Sequence, residues 1–345
     1  MHSAPGSAAR LARPTKGIAL RLTNPFRTEG EWLKAQFHAH SLRSDGELGP
    51  EYVAREYFHH GFDVLTISDH WTMTKVDGPE GLLVIPGAEL GVDPVGGPMA
   101  PEFIAIGIDD VPQEPNGDPE NWYLFDNSGF RTFATFDDGA AYVAEQGGVT
   151  FLCHPSWSGL PQESVSAARA MDGMEIWNAS AHRENDRGDS SYVWDLALDA
   201  GISFAPFGTD DSHYPAFDVG DAWTMVRAAE PTREAVVQAL REGHVYASNG
   251  PTIVDVERDG TAVEVACSPC AAVWLHASWE QGWGVSVGPR GRREEARIIQ
   301  RDDRGLITRV RFEPGSDAWS EKRAHAWQRL VVSDERGRRA WSNVV

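Results

Sequence analysis

His38 and His40 stand one residue apart at the end of the run EWLKAQFHAH, and Asp69 and His70 close the next apolar run, DVLTISDH. On a β-strand, residues i and i+2 share a face, so the two histidines project to one side. Between the runs, Asp45 opens a Ser-Asp-Gly turn, and Pro50 to His60 reads as a helix with Pro in its first turn and Gly61 just past its end. The stretch is a β-α-β unit with imidazoles and carboxylates gathered at its strand tips, where parallel α/β folds place their chemistry. One such histidine can be a core residue. The whole set on successive strand ends implies a metal centre.

The scheme repeats along the chain. LLVIPGAEL reads as a third strand ending at Glu89, and EFIAIGI as an apolar strand introduced by Glu102. Residues 109–131 are dense in Asp, Pro, Asn and Gly and read as a long excursion. Asp137 to Gln146 makes an amphipathic helix capped by Gly147 and Gly148, and VTFLC then delivers His154. GMEIWN ends in a polar cluster with Asn178, His182 and Arg183. The helix SSYVWDLALDA leads to strand ISFAPF and its tip GTDDSH, before strand AWTMVRA and helix PTREAVVQALREG with Gly243 at its end. Strands and helices alternate about seven times over residues 31–249, which predicts a parallel barrel or closed α/β fold. From Gly250 the texture changes to short alternating runs joined by Asp-Gly, Arg-Gly and Pro-Gly turns, which predicts a separate antiparallel β-sandwich over 250–345. Residues 1–30 read as a flexible segment with an edge strand, GIALRLTN.

The candidate ligands are His38, His40, Asp45, His70, Glu89, His154, Asp210 or Asp211, and His213. They are imidazoles and carboxylates without a thiolate, a set that suits Zn, Mn or Fe in a hydrolytic centre. Cys153, in an apolar strand, reads as a small buried hydrophobe. Cys267 and Cys270 lack two further zinc ligands nearby and read as a tight turn between strands, with a labile disulfide as the lesser alternative.

Composition narrows the partners. Fifty-one acids against 31 bases give a net charge of −20, which disfavours nucleic acid and anionic membrane and leaves a small molecule as the substrate. No apolar run reaches the ~20 residues of a membrane span, and the first 30 residues show no secretory h-region, so a cytoplasmic protein is expected. The sequence specifies no oligomeric state.

The series HAH, SDG, SDH, GAE, CHP and GTDDSH resembles the PHP family, the polymerase and histidinol phosphatase domain of metal-dependent phosphoesterases, over roughly residues 31–249. The closing stretch REGHVYASNGP and the final AWSNVV are similar to the branch that includes carbaryl hydrolase. The resemblance implies an α/β fold, a distorted seven-stranded β/α barrel, with two or three divalent metals. It implies that His38, His40 and an Asp of TDDSH hold one ion with Glu89 bridging. Asp45 or its neighbour, His70 and His213 would hold a second, and Glu89 with His154 a third. The family's Asp-x-His pattern selects Asp211 with His213, leaving Asp210 as a supporting partner or alternative ligand. Where many members carry a histidine before the strand after the bridging glutamate, this chain has Glu102, expected here as the remaining ligand of a third ion.

Around that centre, Asp69 is expected to orient a ligand or cap a turn, and His182 and Arg183 to face substrate as proton donor and anion clamp, or to lie in a solvated loop. Trp71, Trp157 and Trp177 are candidates for an apolar pocket wall, and Lys75 and Arg43 are further candidate phosphate contacts. The expected activity is metal-dependent hydrolysis of a small phosphoester. Hydrolysis of a carboxylic ester or aryl carbamate is the enzymatic alternative, and a non-catalytic scaffold the other.

Overall fold

The computed structural model describes residues 24–97, 100–112, 132–278, 282–287, 295–314 and 327–345. The proposed edge strand at 17–23, and the part of the excursion at 113–131, lie outside them.

Helices form where the sequence supplies their ends. Helix α1 (Pro50–His59) starts on Pro and stops at Gly61, whose φ of 72° lets Phe62 N–H return to Tyr57 O; Val53, Ala54 and Tyr57 face inward. Helix α2 (Phe136–Glu145) is capped by Thr135, whose hydroxyl accepts Asp138 N–H. Two shorter helices are α3 (Gln162–Ala167) and α4 (Ala179–Asn185). Helices α5 (Ser191–Asp199), α6 (Pro215–Asp218) and α7 (Arg233–Arg241) complete the set, with Thr232 capping the last.

The first ten strands are β1 (Glu31–Gln36), β2 (Val64–Leu65), β3 (Leu83–Val84), β4 (Gly87–Gly91), β5 (Glu102–Ile106), β6 (Val149–Leu152), β7 (Gly173–Asn178), β8 (Ala205–Thr209), β9 (Trp223–Ala228) and β10 (Val245–Ser248). They do not close into one parallel barrel. Strands β3, β2 and β1 are parallel, but β9 joins β1, and β10 joins β9, antiparallel. The other sheet runs β4-β5-β6-β7-β8, antiparallel through β6 and parallel beyond it. The apolar run LLVIPGAEL, expected as one strand, is split at Pro86 into β3 and β4, which belong to different sheets. Isolated bridges His70–Glu89 and Ala39–Ser212 tie the sheets at the strand tips. Between β8 and β9, Thr224 Oγ1 accepts Gly208 N–H and donates to Gly208 O, where a ladder would otherwise run. Phe37, Ile104, Phe151 and Phe207 fill the space between the sheets, with Phe151 and Phe207 stacked at 4.2 Å.

The C-terminal strands are β11 (Ile253–Asp259), β12 (Ala262–Cys270), β13 (Ala272–Ala277), β14 (Gly282–Ser286), β15 (Ala296–Arg301), β16 (Ile307–Phe312), β17 (Gln328–Ser333) and β18 (Arg339–Val344). Strands β11, β12, β16 and β15 form their own antiparallel sheet. The facing sheet is continuous with the first: β18 pairs with β10, extending the order through β17 and β13 to β14. Buried Arg329 on β17 forks onto Asp195 of α5 at 2.7 and 2.8 Å, Trp327 Nε1 donates to Asp199, and Asn343 Nδ2 donates to Gly243 O. Cys267 and Cys270 do not make a turn. Both lie within β12 at an irregularity of its pairing with β16, their thiols in hydrogen-bond contact at 3.6 Å and not joined as a disulfide. Among the described residues no helix is long and apolar enough to cross a membrane.

Candidate metal centre

Strand ends place nine of the expected residues in one buried cluster. His38 and His40 follow β1 and are fully buried. His38 Nδ1 meets Glu175 Oε1 at 2.7 Å, so its Nε2 faces Glu89 Oε2 and Asp211 Oδ1, each at 3.1 Å. His40 Nε2 faces the same two carboxylates at 3.3 and 3.2 Å, and its Nδ1 lies 3.2 Å from Asp45. His70 and His213 approach the other Asp45 oxygen at 3.4 and 3.3 Å. His154 Nε2 lies 3.4 Å from Glu89 Oε1, and Glu102 stands 3.8 Å from both His154 and His70.

Asp210 is not brought to this cluster. Its carboxylate accepts backbone N–H groups from Gly220, Asp221 and Ala222, anchoring the turn before β9, while burial pushes its pKa up to about 7. Asp211, with φ of 52°, turns its carboxylate to His38 and His40 instead. Among described non-glycine residues, four have positive φ, and three of these are Asp211, His154 and Trp71, at or beside the cluster. Each costs of order 1–3 kcal/mol, strain that the surrounding structure holds in place.

The supports are equally local. Asp69 is buried and accepts from Ser41 N–H at 2.7 Å, Ser41 Oγ at 2.6 Å, Ser44 Oγ at 2.8 Å and Thr74 Oγ1, tying down the turn that carries Asp45. Gly46 completes that turn because a Cβ there would meet the His40 carbonyl at 2.5 Å. Asp218 accepts from Ser212 Oγ, His213 N–H and Tyr214 N–H, and so fixes the loop bearing His213. Asn178 Nδ2 bridges Glu175 and Asp211 at 3.0 Å each. Sequence reasoning passes over Glu175, Thr209 and Asp218, and takes Asn178 only as part of a polar cluster with His182 and Arg183. The signal was a glutamate inside the apolar run GMEIWN.

Charges in the cluster are strongly coupled. Burial opposes protonation of His38 and His40, yet the carboxylates around them outweigh it and raise both well above the ordinary imidazole range. The same balance takes His70 and His154 to about 9, with Glu89 the leading opposing partner. Against the cost of burial, the imidazoles hold Glu89, Asp211 and Asp45 far below the usual carboxylate range. Burial and the negative charge of Glu89 push Glu102 up.

Four overlapping groups offer donors that lie within 4.8 Å of one another: His38, His40 and Asp211; His40, His70 and Glu89; His40, Asp45 and His213; and His38, Glu89, Cys153 and His154. Glu102 belongs to none of these. His40 Nε2, Glu89 Oε1 and Asp211 Oδ1 are buried with no hydrogen-bond partner. Buried polar atoms are rarely left so, and cations held among the overlapping groups would satisfy them. The residues present fit divalent metal.

The cluster floors a cleft of about 920 Å³ whose rim includes Trp157, Ala181, Arg183, Glu184, Tyr214 and Phe217. Trp157 packs edge-on against His154, and its Nε1 donates to Glu184 at 2.7 Å. Arg183 lines the cleft and also pairs with Asp221. His182 does not line it: the ring rests on Trp177 and pairs with Asp186 at 3.1 Å, on a half-exposed surface. Trp177 stacks on Trp341 of β18, and Trp71 packs on Phe133, so neither is a pocket wall. Lys75 and Arg43 also lie outside the lining.

Among solved structures, the chain is similar to a two-domain protein from Bacteroides vulgatus described as containing a predicted PHP-like metal-dependent phosphoesterase, at 16% identity and TM-score 0.48, covering 96% of this chain and 100% of that one. It is also similar to an amidohydrolase from Chromobacterium violaceum, at 16% identity and TM-score 0.42, over 61% of this chain and 96% of that one. A lesion-specific endonuclease from Pyrococcus furiosus shows 13% identity and TM-score 0.41, over 61% of this chain and 56% of that one. No family model and no curated protein matches the chain.

Proposed function

We propose that the chain is a metal-dependent hydrolase of small esters, with a phosphoester as the leading substrate class. The observation that carries this reading is the set of three buried, unpartnered donor atoms, on His40, Glu89 and Asp211, at the floor of an open cleft. His38, His40, Asp45, His70, Glu89, His154, Asp211 and His213 would hold the metal, two or three ions of Zn, Mn or Fe type, while Glu102 stands beside His70 and His154. When bound, such ions supply Lewis acidity and bring the pKa of a water toward neutrality.

The chain's own residues do the rest. Glu175, Ser158 and the Asp211 carbonyl each engage one ring nitrogen of His38, His154 and His213 and so present the other to the cluster. Arg183 is the one arginine or lysine among the described cleft lining, and a guanidinium there binds an anionic substrate group while Asp221 limits its rotamers. Trp157, Tyr214 and Phe217 offer ring faces to the leaving group, which also supports the second reading, a carboxylic ester or aryl carbamate.

The test is to strip metal with chelator, verify its removal, and reload with Mn, Zn or Fe before screening phosphomonoesters, phosphodiesters, aryl esters and carbamates. Hydrolysis restored by metal, and lost together with bound metal in Glu89→Gln, supports the reading. Full turnover in verified metal-free protein overturns it.

A further inference from the structure

The geometry points to Cys153 as a thiolate ligand of the inner metal position, alongside His38, Glu89 and His154. This rests on the reading of the cluster as a metal centre and is independent of which ester is cleaved. The sequence places Cys153 at the end of an apolar strand, where strand alternation would turn residues 153 and 154 to opposite faces. The chain does not continue that way. His154 has φ of 24°, a left-handed conformation for a side chain with a Cβ, and the strand stops at Leu152. The break brings Cys153 Sγ, a carboxylate oxygen of Glu89 and ring nitrogens of His38 and His154 all within 4.8 Å of one another. One ion draws such donors in by small side-chain adjustments, since its bonds to N, O and S run about 2.0–2.3 Å.

A second observation points to a ligand at the same place. Glu89 is 1% exposed, and its Oε1, the oxygen nearest His154 Nε2, has no hydrogen-bond partner. The imidazoles are already aimed: His38 Nδ1 is engaged by Glu175 at 2.7 Å and His154 Nδ1 by Ser158 Oγ at 2.8 Å. A cysteine serving only as a small hydrophobe needs carbon around it. Cys153 has Phe37, Phe151 and Phe207 in its cluster below, but two imidazoles and a carboxylate within reach above. On binding, the thiol proton leaves to solvent and the sulfur donates its pair to the ion.

A thiolate makes this position softer than the others, whose donors on His40, Asp45, His70, Asp211 and His213 are nitrogen and oxygen throughout. The inner position would therefore prefer zinc, cobalt(II) or iron(II) over manganese or magnesium, and the chain would hold two unlike positions in one cleft.

The experiment is to load the metal-free full-length chain with cobalt(II), measure bound cobalt, and record the near-ultraviolet thiolate-to-cobalt charge-transfer band. The expected result is a band in the wild type, kept in the Cys267→Ser/Cys270→Ser double variant and lost in Cys153→Ala, with weaker cobalt binding at one position. Bound cobalt without the band in the wild type overturns Cys153 as a ligand while leaving the metal centre standing. Failure to bind cobalt at all overturns both. Should Cys153→Ala fail to fold, the wild type and the double variant decide the matter: a band present only when Cys267 and Cys270 are intact refutes the assignment.

Discussion

Glu175 Oε1 stands 2.7 Å from His38 Nδ1, both groups fully buried, and the contact fixes which nitrogen of His38 looks into the cluster. Thr209 Oγ1 donates to the same glutamate oxygen at 2.6 Å, and the other oxygen accepts His154 N–H at 2.7 Å. One carboxylate thus orients the first imidazole of the site and braces the strained backbone of another.

Replacing Glu175 with Gln keeps the volume but turns one of its two acceptor oxygens into an NH2 donor, which must then face either His38 Nδ1–H and Thr209 Oγ1 or His154 N–H and Asn178 Nδ2, all of them donors. Metal affinity is expected to fall about 10–100-fold, the usual effect of losing such an orienting partner. Competition against a chromophoric chelator measures it. Unchanged affinity with the fold intact would show that His38 does not need the anchor.

Asp69→Ala removes the acceptor shared by Ser41 N–H, Ser41 Oγ, Ser44 Oγ and Thr74 Oγ1. An orphaned buried donor costs about 1–3 kcal/mol, and because hydroxyls can rotate to other partners, a total near 2–4 kcal/mol is expected. Denaturant unfolding gives the stability. Metal titration should show weaker binding too, since Asp45 rides on the same turn. A variant as stable as the wild type would mean the turn is held by something other than Asp69.

These two carboxylates mark how far the sequence could be read. Ligand types at strand tips were legible because the chemistry demands imidazole and carboxylate in places that periodicity locates. Nine of the ten expected ligand residues share one cluster for that reason. Between Asp210 and Asp211 only the Asp-x-His pattern of the resemblance favours the second; the residues themselves leave both open, because what turns the two carboxylates apart is a backbone angle of 52° at Asp211. Glu175 sits inside an apolar run that does form strand β7, and nothing in its spacing marks the carboxylate as an anchor for His38. Cys153 reads as a small buried hydrophobe and is one, fully buried in a cluster with Phe37, Phe151 and Phe207; its nearness to the ligands follows from the positive φ of the next residue, which spacing does not record. Strand order was the least legible part: periodicity finds strands but not their neighbours, so Pro86 divides one apolar run between two sheets, and β18 continues a sheet begun at β1.

The joint between β17 and α5 depends on Arg329, 1% exposed, held by two bonds to Asp195 and lying over the Trp194 ring at 4.8 Å. Asp195→Ala leaves that guanidinium buried without its counter-ion. The expected loss is about 3–5 kcal/mol, the range for breaking a buried pair from one side. Because the sheet runs through the joint, thermal unfolding of the wild type should be a single transition, and the variant should either lower it or split it in two. An unshifted midpoint would show that the pair contributes little.

Metal uptake should release protons, and the sign follows from the imidazoles. In the metal-free chain, burial works against protonation of His70 and His154, yet Glu89, aided at His70 by Asp45 and at His154 by Glu175 and Asp211, carries both to about 9. They are therefore charged at pH 7.5, whereas a metal takes the neutral ring. Each ion bound through them must displace protons, so affinity rises with pH between 7 and 9, by about one to two log units per pH unit. The same shift governs stability without metal. A group with a raised folded pKa stabilises fully below its unfolded value, near 6.5 here, and that contribution disappears as pH climbs through about 9. Metal-free protein should thus melt lower at pH 10 than at pH 7, and metal-loaded protein should lose less, its imidazoles being neutral already. Calorimetric titration in two buffers of different ionisation enthalpy counts the protons directly. At least one proton released per ion at pH 7.5 is expected, and a count of zero would mean the imidazoles are neutral before metal arrives.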